Sequence, residues 1–293
     1  SASLIGDDHR VIVLSRHPEA SPTLPPGVQV TRWDARTADG WGHFADGADA
    51  IVNLAGAPLN RWWTPRYKRI IRESRVNAGR AVTEAVEQAA LKPRVVIQAS
   101  GVGRYGPRGD DKVTVEAGPG DGFLGKTAVA WEASTAPVED LGVRRAIIRS
   151  GVVLSTEGGA LPLMMLPFRF FLGGALGSGD QWFPWIHIDD AVRAIRLLMR
   201  NEDARGPFNV TAPIPVTNAD FSRDLAQAMA RPILLRVPEF ALRLALGEMS
   251  TVVLSGQRAL PEKLLSLGFR FHFPEPGEAL SDLIEQRIQP SYR

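Results

Sequence analysis

Five short runs rich in β-branched residues constrain the fold of this chain more than any other feature. They are mostly apolar throughout, which is typical of strands buried on both faces of a sheet. A long helical stretch, opened by Thr64 as N-cap and by Pro65, lies between the third and fourth runs. A second helical stretch, near 126–141, separates the fourth and fifth, and Pro137 is expected to end or kink it. Alternating strands and helices predict an α/β fold with a doubly wound parallel sheet. The five runs are Val11–Leu14, Val28–Thr31, Ala50–Leu54, Val95–Ala99 and Ala146–Arg149.

The second half of the chain has a different character. Glycines cluster between Gly158 and Gly179, and helical patterns follow from Asp189 and from Thr217. We therefore predict a smaller, mainly helical cap lobe beside the sheet domain. The predicted boundaries place 1–155 and 184–212 in the sheet domain, and 156–183 and 213–293 in the cap lobe.

The composition excludes several classes of function. The charges nearly cancel, with 34 Lys+Arg against 32 Asp+Glu, so we expect no nucleic-acid partner. Cysteine is absent, which excludes disulfides, thiolate metal sites and a cysteine nucleophile, and five scattered histidines suggest no metal site. The longest apolar stretch, 160–172, is interrupted by two prolines and an arginine, so we expect no membrane span and predict a cytoplasmic location.

Ligands of doubly wound sheets bind beyond the carboxyl ends of the strands. The first run leads into Ser15 and Arg16, at the position where such a sheet meets the adenosine ribose of a dinucleotide. An arginine there suits a 2′-phosphate, and a solvated loop arginine is an equally good explanation.

The third run ends in Asn53, Leu54, Ala55 and Gly56. Small residues at this point would let a dinucleotide approach the backbone, and Asn53 can hydrogen-bond locally. An ordinary strand-to-loop turn explains the glycine equally well. We assign all four residues as candidate cofactor contacts.

Two hydroxyl groups follow the fourth run. Ser100 lies at the tip of the predicted strand and Tyr105 in the next loop. Either can polarise a carbonyl, so both are candidate catalytic residues, although neither has an activating base nearby in sequence. For Tyr105, packing in the core is the alternative.

Aromatic residues concentrate at 182–185, just before a helix. Asp189 or Asp190 is predicted to cap that helix, because carboxylates favour helix N-termini. His187 is predicted to be structural, since strand alternation directs it away from Ile188 and no third metal ligand is evident.

Five strings together resemble the epimerase-like members of the atypical extended short-chain dehydrogenase/reductases. The resemblance covers essentially the whole chain. It implies a Rossmann-type nucleotide-binding domain that binds NADP(H), a substrate cleft, and a small C-terminal domain of unassigned function at about 238–287. With Ser100, we assign Arg149 and Gly151 of the third string as further cofactor contacts. The strings are NLAG (53–56), ASGVGRYG (99–106), IIRSGVVLS (147–155), GGALGSGDQWFPWIHIDDAVRAI (173–195) and LSGQRALPEKLLSLGF (254–269).

The sequence departs from the pattern of working short-chain dehydrogenases in two ways. The family normally begins with a strand and a glycine-rich turn that holds the pyrophosphate. Here Ser1–Gly6 resembles the end of the first helix, so we expect that strand and that turn to be missing from this chain. The catalytic Tyr-x-x-x-Lys pair falls on Leu124 and Ala128, and neither transfers a proton.

Two hypotheses follow. The first is an NADP-dependent epimerase or reductase acting on a small carbonyl compound or a nucleotide sugar, with Ser100 polarising the carbonyl and Tyr105 as the acid. The second is a catalytically degenerate protein that binds NADP(H) as a sensor or scaffold and acts through a protein partner. A homodimer is compatible with both.

Overall fold

All five predicted runs form strands, within two residues at either end, in a computed structural model that describes residues 1–20, 24–233 and 236–288. The strands are β1 Ile12–Ser15, β2 Gln29–Arg32, β3 Ala50–Asn53, β4 Val95–Gly101, β5 Lys112–Val113, β6 Arg144–Ser150, β7 Val152–Leu154, β8 Trp182–Phe183, β9 Trp185–His187, β10 Gly206–Val210, β11 Val216–Thr217 and β12 Arg258–Ala259. The α-helices are α1 Ala2–Ile5, α2 Pro65–Gln88, α3 Phe123–Ala133, α4 Leu161–Arg169, α5 Ile188–Arg200, α6 Asn218–Ala228, α7 Glu239–Leu246, α8 Thr251–Leu254, α9 Glu262–Ser266 and α10 Pro276–Ile288. Short 3₁₀ helices lie at Pro18–Ala20, Gly42–Ala45, Val102–Tyr105, Ala136–Val138 and Gly247–Ser250.

A four-stranded parallel sheet in the order β10-β6-β4-β3 forms the centre of the fold. Helix α2 packs on one face, where its alanines and valines meet Val96 and Val143. Helix α5 packs on the opposite face against Ile97, Ile148 and Phe208. Helices on both faces of a parallel sheet bury its strands completely, so the prediction of a doubly wound, Rossmann-like α/β fold is confirmed.

Strands β1 and β2 are the part of the sheet that differs from expectation. They pair with each other in parallel and are not hydrogen-bonded to the four-stranded sheet. The pair is held through the core beneath α2, where Trp33 and Trp41 meet edge to face at 5.4 Å. The expectation that the family's first strand and glycine-rich turn are missing stays a prediction.

Local signals set the helix boundaries. The Thr64 hydroxyl accepts a hydrogen bond from Tyr67 N at 3.1 Å, and the Thr217 hydroxyl accepts one from Asp220 N at 3.2 Å, as expected of N-caps. Helix α3 ends at Ala133, before the 3₁₀ turn that contains Pro137, because proline cannot donate the next helical hydrogen bond.

The helical second lobe has its own apolar core. Helices α4, α6 and α10 contribute Leu161, Phe221 and Leu280 to it, and Trp185 of β9 is buried against them. The domain boundaries given above stay a prediction, and residues 234–235 and 289–293 of the predicted cap lobe lie outside the described residues. Within the described ranges, no helix is long and apolar enough to cross a membrane.

Candidate functional site

The carboxyl ends of β4 and β6 bring Ser100 and Arg149 side by side, in register across the sheet. Between them lies the carboxylate of Glu132, from the last turn of α3. The Ser100 hydroxyl donates to Glu132 Oε1 at 2.7 Å, and Arg149 donates through Nε and Nη2 to both carboxylate oxygens at 2.9 and 3.0 Å. All three side chains are buried. We call Ser100, Glu132 and Arg149 the polar hub.

The polar hub fixes the hydrogen-bonding role of Ser100. A carboxylate bound twice by a guanidinium only accepts hydrogen bonds, so the single hydroxyl proton of Ser100 is directed to Glu132. The remaining hydrogen-bonding capacity of the serine oxygen is that of an acceptor. The role of Ser100 in polarising a carbonyl stays a prediction, and in this structure its proton is engaged by Glu132.

Tyr105 lies in the core instead of the cleft, with an exposed fraction of 0%. Its hydroxyl donates to Asn209 Oδ1 at 2.6 Å and accepts from Arg149 Nη1 at 3.0 Å. Burial raises the pKa of Tyr105 against the opposing effect of Arg149. A catalytic acid must reach its substrate, so the alternative reading of Tyr105 as a packed core residue describes its position.

Arg149 and Gly151 make structural contacts, and their assignment as cofactor contacts stays a prediction. Burial acts to lower the pKa of Arg149, but the hydrogen bonds and charge of Glu132 outweigh it and raise the pKa. The remaining Arg149 nitrogen, Nη1, donates to Tyr105 and to Val115 O, so all three guanidinium nitrogens make hydrogen bonds. At Gly151 a Cβ atom would lie 2.7 Å from Pro184 O, so this glycine allows two backbone segments to approach closely.

The loop after β3 remains accessible at the same edge of the sheet. Asn53 donates to Gln98 Oε1 at 3.0 Å and accepts from Ala55 N at 3.2 Å, which confirms the expected local hydrogen bond. Leu54 is 60% exposed, and Gly56 is exposed beside it. Helix α2 contacts this loop, since the Ser74 hydroxyl accepts a hydrogen bond from Ala57 N at 2.9 Å.

Arg16 is exposed immediately after β1, and the Ser15 hydroxyl accepts from His17 N at 3.2 Å. Their position at the carboxyl end of a parallel strand leaves the arginine accessible to a phosphate from solvent.

Sequence reasoning missed Glu132 as a functional residue. Leu124 and Ala128, at the positions predicted for the Tyr-x-x-x-Lys pair, precede it at intervals of four, so all three lie along one face of α3. Leu124 lies next to Gly103, and Ala128 is buried. The signal in the sequence was the carboxylate of Glu132, four residues after Ala128 on the same helix face.

His187, and not an aspartate, is the N-cap of α5. Its Nδ1 accepts from Asp189 N at 3.1 Å, and its Nε2 lies 3.2 Å from Asp282 Oδ2 of α10. Asp190 is buried, and it accepts from the backbone N–H groups of His272 and Phe273. The predicted aspartate cap was therefore wrong, because the imidazole occupies the capping position, whereas the structural reading of the buried His187 agrees with its contacts.

We expect His187 to make stability depend on pH. Burial lowers its pKa, against the charges of Asp282, Asp190 and Asp189, and protonation would remove the Nδ1 acceptor of the cap. A lowered folded-state pKa means that this contribution is complete above about pH 6.5, the unfolded value, and is lost as pH falls below it, by at most about 1.4 kcal/mol per pH unit. Urea unfolding from pH 8 to 5 should show a flatter profile for His187→Asn than for the wild-type protein.

The exposed His272 provides the control for that measurement, because its ring contacts Asp189 without capping the helix. His272→Asn should retain the wild-type loss of stability below pH 6.5. Equal pH profiles for wild type and His187→Asn would rule out His187 as the titrating group.

The C-terminal string SGQRAL packs directly behind the site. Strand β12 pairs in parallel with β5, and Gln257 Nε2 donates to Gly106 O at 3.0 Å. Asn209, which accepts from Tyr105, donates to Leu260 O at 3.0 Å. The C-terminal segment thereby supports the loop that follows Ser100.

Comparisons with known proteins agree with this architecture. The NAD dependent epimerase/dehydratase family model matches residues 1–211, and a domain of unknown function (DUF1731) matches residues 237–283. An epimerase family protein of Staphylococcus aureus strain MRSA252 is 42% identical over 282 residues, which are 95% of this chain and 92% of that protein.

Two solved structures are similar over nearly the whole chain. The human epimerase family protein SDR39U1, crystallised with NADPH, is 31% identical with a TM-score of 0.86, over 97% of this chain and 94% of that one. A nucleoside-diphosphate sugar epimerase of Corynebacterium glutamicum is 34% identical with a TM-score of 0.74, over 98% of this chain and 57% of that one.

Proposed function

Because this chain belongs to the NAD-dependent epimerase/dehydratase family, within the atypical extended short-chain dehydrogenase/reductases, we propose that it binds NADP(H) and acts as an epimerase or reductase on a small carbonyl compound or a nucleotide sugar. The observation that carries the preference for NADP(H) is Arg16, exposed at the carboxyl end of β1. A guanidinium at this position matches a 2′-phosphate, whereas an acidic residue would match the ribose hydroxyls of NAD. The human relative crystallised with NADPH supports the same choice.

The remaining proposed cofactor contacts lie at the carboxyl ends of β1 and β3. Ser15 adjoins Arg16, and the accessible Leu54, Ala55 and Gly56 follow β3, so the backbone of this loop can lie against a dinucleotide. When bound, the nicotinamide cofactor supplies hydride transfer, and the protein supplies orientation and electrostatics.

The polar hub faces the substrate end of this cleft in our proposal. Ser100 accepts a hydrogen bond from a substrate hydroxyl while Glu132 holds its proton at 2.7 Å. This arrangement orients an alcohol oxygen at the reacting carbon. Tyr105 has no part in it, because its hydroxyl is buried.

A second function, a cofactor-binding sensor without turnover, is favoured by one observation. Apolar Leu124 and Ala128 occupy the positions of the proton-transfer pair of short-chain dehydrogenases generally. Ser100→Ala distinguishes the two functions, since an enzyme loses turnover and keeps cofactor binding, whereas a sensor has no turnover to lose.

Cofactor binding itself is tested by thermal unfolding with NADPH and with NADH. A ligand that binds only the folded protein adds about 2.7 kcal/mol at 100 times its dissociation constant. We expect a clear rise in Tm with NADPH and a smaller rise with NADH. Arg16→Met should remove the difference between the two cofactors while leaving the Tm of the free protein unchanged, because Arg16 is exposed.

Lys126→Met, at an exposed position on α3, removes one positive charge away from β1 and serves as the matched control. It should keep the preference for NADPH. No response of the wild-type protein to either cofactor would overturn the proposed function.

A further inference from the structure

Two guanidinium groups share the single carboxylate of Glu132. Arg149 binds both of its oxygens, as described above, and Arg104 Nε lies 3.5 Å from Oε2. One negative charge therefore faces two positive charges in a largely buried site. The uncompensated positive charge belongs to Arg104, because Arg149 holds the closer and bidentate position.

Arg104 also has unused hydrogen-bond donors. Its side chain is only 16% exposed. Within the described residues, its buried Nε and Nη1 atoms have no hydrogen-bond partner, whereas Arg145 and Arg258 each have one such nitrogen. Buried polar groups without partners are rare in folded proteins and costly.

Another buried arginine shows how this fold satisfies a guanidinium that has only a structural role. Arg144 donates to the carbonyl oxygens of Leu198, Ala204 and Met199 at 2.7–2.9 Å. No comparable set of carbonyls surrounds Arg104 within the described ranges. Arg104 therefore differs from Arg144 in carrying donors that the described residues leave unsatisfied.

Arg104 follows the same strand end as Ser100. Arg104 lies in the 3₁₀ turn Val102–Tyr105, four residues after Ser100 and beyond the carboxyl end of β4. Neighbouring Gly103 lies against Leu124, at the position where short-chain dehydrogenases generally carry the catalytic tyrosine. The predicted cofactor contacts at Arg16 and at 53–56 follow other strands.

We propose that Arg104 binds an anionic oxygen, a carboxylate or a phosphate, of the substrate. Its excess positive charge attracts the anion, and its guanidinium group donates to it. Ser100 accepts from a hydroxyl of the same molecule. The substrate is then an acidic hydroxy or carbonyl compound, or a phosphorylated sugar. This assignment rests on the proposed function for its division of the cleft between cofactor and substrate.

The test compares charged probes with neutral analogues at constant ionic strength. Glucose 1-phosphate is paired with methyl glucoside, and pyruvate with methyl pyruvate, and thermal unfolding reports binding. The wild-type protein should be stabilised by at least one charged probe and not by its neutral partner. The pair that responds identifies phosphate or carboxylate as the anion.

Arg104→Met should weaken binding of that charged probe by at least tenfold. Its own Tm should stay equal to the wild-type value or rise, because the variant removes a buried, uncompensated charge. Arg104→Lys keeps the charge and should retain part of the affinity. Arg108→Met removes a cation from the same loop that donates to the Tyr105 and Gly118 carbonyl oxygens, so it should lower Tm and leave probe binding intact.

Equal responses to charged and neutral probes would overturn the assignment, and so would probe binding by Arg104→Met that is as tight as by wild type. A large loss of stability in Arg104→Met would also overturn it, because Arg104 would then have a structural role. NADPH titrations separate the possible sources of the anion. Unchanged NADPH affinity in Arg104→Met supports a substrate anion, and a parallel loss of it would overturn that source. Failure of wild type to bind NADPH removes the proposed function, and the probe titrations then decide the role of Arg104 alone.

Discussion

Glu132→Ala should lower the free energy of unfolding by about 3–5 kcal/mol, because it leaves the buried guanidinium of Arg149 without its carboxylate. Arg149 donates twice to Glu132, and both side chains are buried. The variant also removes the acceptor of the Ser100 hydroxyl. Urea unfolding at pH 7, with the slope checked against wild type, measures the loss.

The double variant Glu132→Leu with Arg149→Met is the control for this prediction. It removes the charges of Glu132 and Arg149 together and keeps the apolar volume, so that only Arg104 loses its carboxylate, and it should be more stable than Glu132→Ala. A Glu132→Ala protein within about 1 kcal/mol of wild type would mean that water or another group compensates Arg149. In that case the polar hub would not be an energetic centre of the fold.

Gly256→Ala should cost about 3 kcal/mol and loosen the C-terminal segment from the site. A Cβ atom at this position would lie 1.7 Å from the carbonyl oxygen of Trp182. The clash is between the Cβ atom on the backbone of Gly256 and the backbone of Trp182, so no flexible side chain can move to relieve it. The segments that carry these two residues must therefore separate. The contact of Gln257 with Gly106, one residue further on, should weaken with them.

Hydrogen exchange measures this separation directly. Amides in 255–260 and in the loop that follows Ser100 should lose protection in Gly256→Ala, while those of β4 and β6 retain it. Gly118→Ala is the matched control, because nothing lies within 4 Å of a Cβ atom there, and it should change stability by less than about 0.5 kcal/mol. Wild-type protection and Tm in Gly256→Ala would contradict the packing described here.

The residues of the polar hub act together because each one provides a hydrogen-bond partner for a buried polar group of another. Ser100 and Arg149 satisfy the Glu132 carboxylate, and Arg149 also donates to Tyr105, which donates to Asn209. Asn209 in turn donates to the C-terminal segment at Leu260. A change in the C-terminal domain can therefore reach the candidate site through four hydrogen-bonded side chains. The strings SGQRAL and ASGVGRYG are therefore in contact in the folded protein.

Features that depend on neighbouring residues could be predicted from the sequence. The five apolar runs identified their strands, and Thr64 and Thr217 marked the starts of α2 and α6, because strand burial and helix capping are read within a few positions. The doubly wound fold followed from their order along the chain. The positions of Ser100 and Arg149 at one edge of the sheet followed from the same order, since parallel strands end together.

The direction and partner of each polar side chain depended on residues far away in the sequence. Glu132 is 32 residues from Ser100, and Asn209 is 104 residues from Tyr105, so no local pattern announced either hydrogen bond. Distant residues also made His187 a helix cap beside Asp282, and among the described residues they left two nitrogens of Arg104 without a hydrogen-bond partner. The sequence by itself determined which elements form and which strand ends meet. Only the tertiary structure decided which polar groups are satisfied inside the protein and which remain for a ligand, because burial and charge pairing are set by the packing of all elements together.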